Sequence, residues 1–211
     1  MTASRTQGRA RAFTLIELLV VIGVIAILAG IAIPALSGVR TRSQVQATEA
    51  LLQRLKLAIE SYSDAFGDYP PSTFRGAGLR GSNGENDGAE VLVRCLTSQA
   101  KGGPFVELRD EELCNTDGDA LTSDANPTRS TFATRDLLEP ADVWGNPLAY
   151  IHNAEYDRGA TARLVLGGTA PVSAARSEKT QQLVGLNSFQ LWSAGPDGVA
   201  GTEDDIRVWG E

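Results

Sequence analysis

Four acids crowd the stretch LWSAGPDGVAGTEDDI near the C-terminus: Asp197, Glu203, Asp204 and Asp205 fall within nine residues, with Gly198 and Gly201 among them and Gly195 just before. Carboxylates held that closely repel one another unless a cation sits between them. Hard oxygens suit Ca²⁺, which takes six to eight ligands at ~2.3–2.6 Å, some of them backbone carbonyls. The glycines let carbonyls turn inward. The same composition also suits a solvated acidic loop. A second set, Asn115, Asp117 and Asp119, alternates around Gly118 and can offer oxygens to another ion, although no Glu fills the far ligand position of an EF-hand loop. A solvated turn is the competing reading there. The lone histidine, His152, has no partner set for catalysis, and no nucleophile-elbow motif occurs, so an enzyme is not expected.

The third chemical oddity is Glu17, an acid inside RAFTLIELLVV, residues 11–21. A carboxylate at mid-membrane depth costs about 2.5–3.5 kcal/mol on insertion scales. Near the start of an apolar run the cost is smaller, and a partner cation removes it. Cleavage between Ala12 and Phe13 would create an α-amine four residues before Glu17, on the same helical face. In a bundle of identical helices, one chain's amine can pair with the next chain's Glu17 and set the register between copies.

The elements that must place these groups are legible. Residues 18–36, LLVVIGVIAILAGIAIPAL, carry no charge. As a helix they reach roughly 28 Å, close to the thickness of a hydrocarbon core. The first twelve residues, MTASRTQGRARA, carry Arg5, Arg9 and Arg11 and no acid, as in the leader of an exported protein. Pro34 removes a backbone hydrogen bond and is expected to bend or loosen the helix. Beyond it Leu52, Leu55, Ile59 and Tyr62 step by three, four and three residues, an apolar stripe on an amphipathic continuation. Pro70-Pro71 is a hard stop, so the helix is expected to end near Phe66–Gly67. A continuous helix from Thr14 to Phe66 would run on the order of 80 Å. Only lipid, or copies of itself, can cover its first half.

The remainder reads as a small domain. Residues 72–137 are rich in Gly, Ser and Asp, with one helical segment in AEVLVRCLTSQ. DVWGNPLAYIHN, residues 142–153, is a turn feeding a strand, with Trp144 as a core anchor. Short strands are expected at 164–168, at 189–193 and at the end of the chain, and a loop at 173–182. Cys95 and Cys114 lie 19 positions apart; an oxidising compartment would permit one disulfide worth roughly 3 kcal/mol.

Across 211 residues, 42% are hydrophobic and 21% charged, a globular composition, and the net charge is −7. No basic patch or zinc-type cysteine spacing occurs, which excludes nucleic acid as the expected partner.

AFTLIELLVVIGVIAILAGIAIP resembles the prepilin-type N-terminus of type IV pilins and type II secretion pseudopilins, with Phe13, Thr14, Leu15, Ile16, Glu17 and Leu18 all matching. The resemblance implies cleavage after Ala12, where the family usually has Gly, N-methylation of Phe13, and Glu17 as the assembly acid. YSDAFGDYPPS, the WGNP turn and LWSAGPDGVAGTEDDI are similar to the G-type major pseudopilin. They imply a calcium loop in which Asp197, Asp204 and Asp205 supply side chains, and Ala194 and Val199 main-chain carbonyls.

The expected fold is therefore α+β and pilin-like: a long N-terminal helix, membrane-spanning in its first half, packed on a small antiparallel sheet domain with a helix and loop insertion. The expected parts are a leader over 1–12, a transmembrane and polymerisation helix over 13–36 and its amphipathic continuation over 37–67. A periplasmic domain follows over 68–211, containing the insertion 72–137 and the calcium loop 194–205. The resemblance implies a homopolymer anchored in the inner membrane, working with a prepilin peptidase, minor pseudopilins and an inner-membrane assembly platform. Two rivals are a type IV pilin or similar filament subunit, and a membrane-anchored periplasmic enzyme or binding module.

Overall fold

The computed structural model describes residues 13–121, 134–177 and 179–209, and of 31–37 the backbone alone. The leader and Ala12 lie outside that set. The chain divides into two units between Ser43 and Gln44. Helix α1, Leu15–Phe66, runs through both and stays helical at Pro34, so the expected bend does not break it. In the first unit Phe13, Leu15, Ile16, Leu18, Ile22, Ile25 and Leu28 are all exposed. Among the described residues, no helix is long and apolar enough to cross a membrane. The span expected over 13–36 takes in 31–37, whose side chains fall outside the description.

In the second unit the apolar stripe of α1 is core. Leu52, Leu55 and Ile59 are 0% exposed, and Tyr62 is buried beside them. Helix α1 ends at Phe66, where Gly67 turns left-handed (φ 88°) and returns its N–H to the Ser63 carbonyl at 2.8 Å. No basic residue occupies that last turn. Instead Lys101 reaches the Ala65 carbonyl at 3.3 Å, its ammonium 4.5 Å from the Phe66 ring centroid. A cation at a helix C-terminus favours the dipole.

Helix α2, Asp87–Leu96, is the helix expected in the insertion. It lies hard against the domain: a Cβ on Gly88 would run into the Tyr150 carbonyl, so glycine is required by space. The strands are short and antiparallel. They are β1, Leu113–Cys114; β2, Glu139–Pro140; β3, Ala149–His152; β4, Ala160–Arg163; β5, Thr169–Val172; β6, Phe189–Ser193; and β7, Ile206–Arg207. They form pairs β1–β2 and β4–β5 and a three-stranded sheet in the order β3–β6–β7. The principal core joins Leu52, Leu55 and Ile59 of α1 to Leu92 of α2, Tyr150 of β3 and Leu191 of β6. The fold is α+β, a helix on small antiparallel sheets.

Two expectations need correction. Residues 164–168 form no strand; Leu164 and Gly168 close the turn between β4 and β5, with Gly167 and Gly168 at φ 89° and 88°. Two consecutive left-handed glycines suit a turn and not a ladder. Cys95 and Cys114 are free thiols. Cys95 packs between two apolar clusters and hydrogen-bonds to Tyr62, whereas Cys114 on β1 lies across from Glu139 on β2. The two thiols serve different neighbours, and spacing along the chain does not report that.

One ionic contact ties α1 to the insertion. Arg54 donates to Glu112 Oε2 at 2.5 Å, and Arg109 donates to Glu112 Oε1 at 2.7 Å and through its backbone N–H to Oε2 at 3.0 Å. Burial opposes the Glu112 charge, but these hydrogen bonds outweigh it and bring the carboxyl down to about 2. A depressed carboxyl stabilises the fold above its unfolded value of about 4.5, and that stability fades as pH falls toward about 2. Glu112→Gln should cost ~1–2 kcal/mol at pH 7, after allowing for solvent around the half-exposed Arg54. Denaturant melts at several pH values check this: the difference from wild type should shrink between pH 4.5 and pH 2.

Candidate functional site

At the N-terminus, Glu17 is already engaged within its own chain. Its Oε2 accepts from the Thr14 backbone N–H at 2.9 Å and the Thr14 hydroxyl at 2.8 Å, while the Glu17 N–H donates to Thr14 Oγ1 at 3.3 Å. This is a capping box: Thr14 stands just before α1 and Glu17 is its third residue. The T-x-x-E spacing carries that signal, and the sequence reading passed over it. Phe13 is 80% exposed at the start of the described chain. The single chain thus presents an apolar N-terminal helix with its one acid held at the tip.

The C-terminal loop joins β6 to β7 and is closed by its own polar groups. Gly195, at φ 67°, has no room for a Cβ because the Asp204 carbonyl and carboxylate occupy that space. Asp204 accepts from the Thr202 hydroxyl and, at 3.3 Å, from the Asp197 N–H. The Thr202 hydrogen bond is the first cause that holds its carboxyl below the ordinary range. Asp197 accepts from the Val199 N–H at 2.7 Å. Asp205 Oδ2 accepts from the Gly201 N–H at 2.9 Å and from Arg207 at 3.1 Å. Its other oxygen, Oδ1, is buried with no partner among the described residues. That orphaned oxygen and the all-oxygen donor set fit a hard cation. The carboxylates of Asp197, Asp204 and Asp205 do not converge, however; the three acidic ligand groups within 4.8 Å of one another, among the described residues, are those of Glu90, Asp117 and Asp119.

Asn115 therefore has a different task from its acidic neighbours. Its Oδ1 accepts from the N–H groups of Gly118 at 2.7 Å and Asp119 at 3.2 Å, and its Nδ2 donates to the Asp119 carbonyl at 2.9 Å. It shapes the turn that presents Asp117 and Asp119. Glu90, in the first turn of α2, completes the cluster. Burial, then Asp119, Asp117 and Glu139, raise the Glu90 carboxyl to about 10. Burial and Asp117 raise Asp119 to about 6.

The WGNP turn rests on Asp142, which the sequence reading did not single out. Asp142 Oδ1 accepts from the N–H groups of Trp144 at 2.9 Å and Asn146 at 3.0 Å; Oδ2 accepts from the Ser193 hydroxyl of β6 at 2.7 Å. Trp144 is half-buried against the main core. His152 is a buried strand residue. Its Nδ1 accepts from the Ala154 N–H at 3.1 Å, which leaves Nε2 to meet Asp68 at 3.2 Å.

Residues 8–33 match the model of the prokaryotic N-terminal methylation motif. The chain carries that motif at its N-terminus. Over nearly its whole length it is 26% identical, across 206 residues, to the type II secretion system core protein G of Escherichia coli strain K12, covering 98% of this chain and 95% of that protein. No solved structure matches significantly. The aligned region runs well past the motif matched at residues 8–33.

Proposed function

We propose that the chain is a structural subunit of a type II secretion pseudopilus, polymerising through its N-terminal helix to drive folded proteins across the outer membrane. The observation that carries this reading is the near full-length similarity to core protein G in a chain that also bears the methylation motif. After cleavage at Ala12, the apolar face from Leu15 to Leu28 enters the inner membrane or packs on other copies. The exposure of that face in the single chain supports this. The subunit then works with a prepilin peptidase, minor pseudopilins and the inner-membrane assembly platform, and its role is structural instead of catalytic.

In the same reading, Asp197, Asp204 and Asp205 with the Ala194 and Val199 carbonyls would hold Ca²⁺, whose positive charge would draw together carboxylates that stand apart in the structure and fix the β6–β7 connection. The orphaned Asp205 oxygen supports that assignment. Deleting the gene should stop release of folded exoproteins and leave them in the periplasm, with release restored by the intact chain. Unchanged secretion with lost surface adhesion or uptake would point to a type IV pilin and contradict the proposal.

A further inference from the structure

The cluster in the insertion carries a second inference, independent of the secretion role and of the C-terminal loop. Glu90 is 0% exposed, and neither of its carboxylate oxygens has a partner outside the cluster among the described residues. The same holds for Asp117 Oδ1 and for both oxygens of Asp119. One ligand oxygen from each of these three residues lies within 4.8 Å of the other two. Two oxygens on opposite sides of one ion at ~2.4 Å are ~4.8 Å apart, so this spacing matches a single hard cation.

Buried carboxylates without donors are costly, and within the set the one relief is the hydrogen bond that Glu90 and Asp119 share. Asn83 donates only to Asp117 Oδ2, at 2.8 Å. Arg94, one turn further along α2, makes no ion pair with Glu90, and two of its guanidinium nitrogens are themselves buried without partners among the described residues. Glu139 on β2, also 0% exposed, has one oxygen engaged by Asn86 at 2.7 Å and the other free of any described partner. The polypeptide is built as if the set faced a positive group. Gly88 fixes α2 on Tyr150, and Asn115 with Gly118 at φ 72° fixes the opposing turn.

We propose that Glu90, Asp117 and Asp119 bind a divalent cation of the calcium type, which staples α2 to the 115–119 turn. Oxygen-only ligation selects a hard ion over zinc or copper. Carbonyl groups of the turn or water complete the shell.

The test uses the full-length chain in detergent and CaCl₂ as the probe, with bound calcium counted by equilibrium dialysis at about 1 mM, the range of extracellular calcium modules. Wild type should bind one more ion than Glu90→Gln, whose neutral amide keeps the shape of the side chain. Asp204→Ala should retain the Glu90-dependent ion, which separates this site from the C-terminal loop. If Glu90→Gln does not fold, as judged by near-ultraviolet circular dichroism, the Asp117→Asn, Asp119→Asn double variant takes its place. Equal ion counts in wild type and the folded variant would overturn the site, and so would loss of every bound ion in Asp204→Ala.

Discussion

A Glu17→Ala subunit should insert into the inner membrane at wild-type levels and fail to enter filaments, with Glu17→Gln failing as completely. The pair of variants separates two roles for one carboxylate. As a helix cap, Glu17 receives the Thr14 N–H and hydroxyl. Glutamine also serves at that position of a capping box, so glutamine would restore function if capping were the whole role. Losing the cap alone costs ~1 kcal/mol.

As a charge in an apolar bundle, Glu17 answers a neighbour's cation; an unpaired charge costs at most ~2.5–3.5 kcal/mol, the mid-membrane figure on insertion scales. That is a factor of about 10² per contact, repeated at every subunit. The neutral amide cannot answer a neighbour's α-amine. Sheared filaments quantified against membrane-bound subunit give the ratio directly. Assembly of Glu17→Gln at wild-type levels would leave only the capping role.

The second large effect is calcium acting on the C-terminal loop. Millimolar calcium should raise the melting temperature of the domain and quench or shift its tryptophan emission. Trp192 on β6 and Trp209 beyond β7 pack edge to face at 5.5 Å, so their emission reads the closure of the loop between those strands. At 100-fold excess over the dissociation constant a ligand adds ~2.7 kcal/mol. For a domain of this size that corresponds to roughly 5–10 °C.

Chelator should reverse both signals. Asp204→Ala should abolish the fluorescence response, while any melting response left over should vanish when Glu90→Gln is added. An unchanged tryptophan signal on adding calcium would remove the ion from this loop.

How far such features can be read from residues alone depends on how local they are. The stripe Leu52, Leu55, Ile59 and Tyr62 is periodic within one helix, and all four are buried. The helix in 87–96 and the strand at 189–193 were likewise local patterns. Acid clustering in 197–205 was visible for the same reason. Glu90 was not. It lies 27 positions before Asp117, and only the packing of α2 against the 115–119 turn brings them together. Asn115 stayed open in the sequence because Asn is equally suited to ligate an ion and to close a turn; its side chain closes the turn. The free cysteines show the same limit, since loop length permits a bridge that the neighbours of Cys95 and Cys114 do not use. Thr14 and Glu17 were the opposite case, a local signal masked by the rarer chemistry proposed for the same acid.

The most direct test is zero-length carbodiimide coupling within purified filaments, followed by mass spectrometry of the N-terminal peptides. An amide joining the Phe13 amine of one copy to Glu17 of the next, present in wild type and missing in Glu17→Gln membranes, is the expected result. Well-formed filaments in which that amide arises only within single chains, or never, would contradict the account.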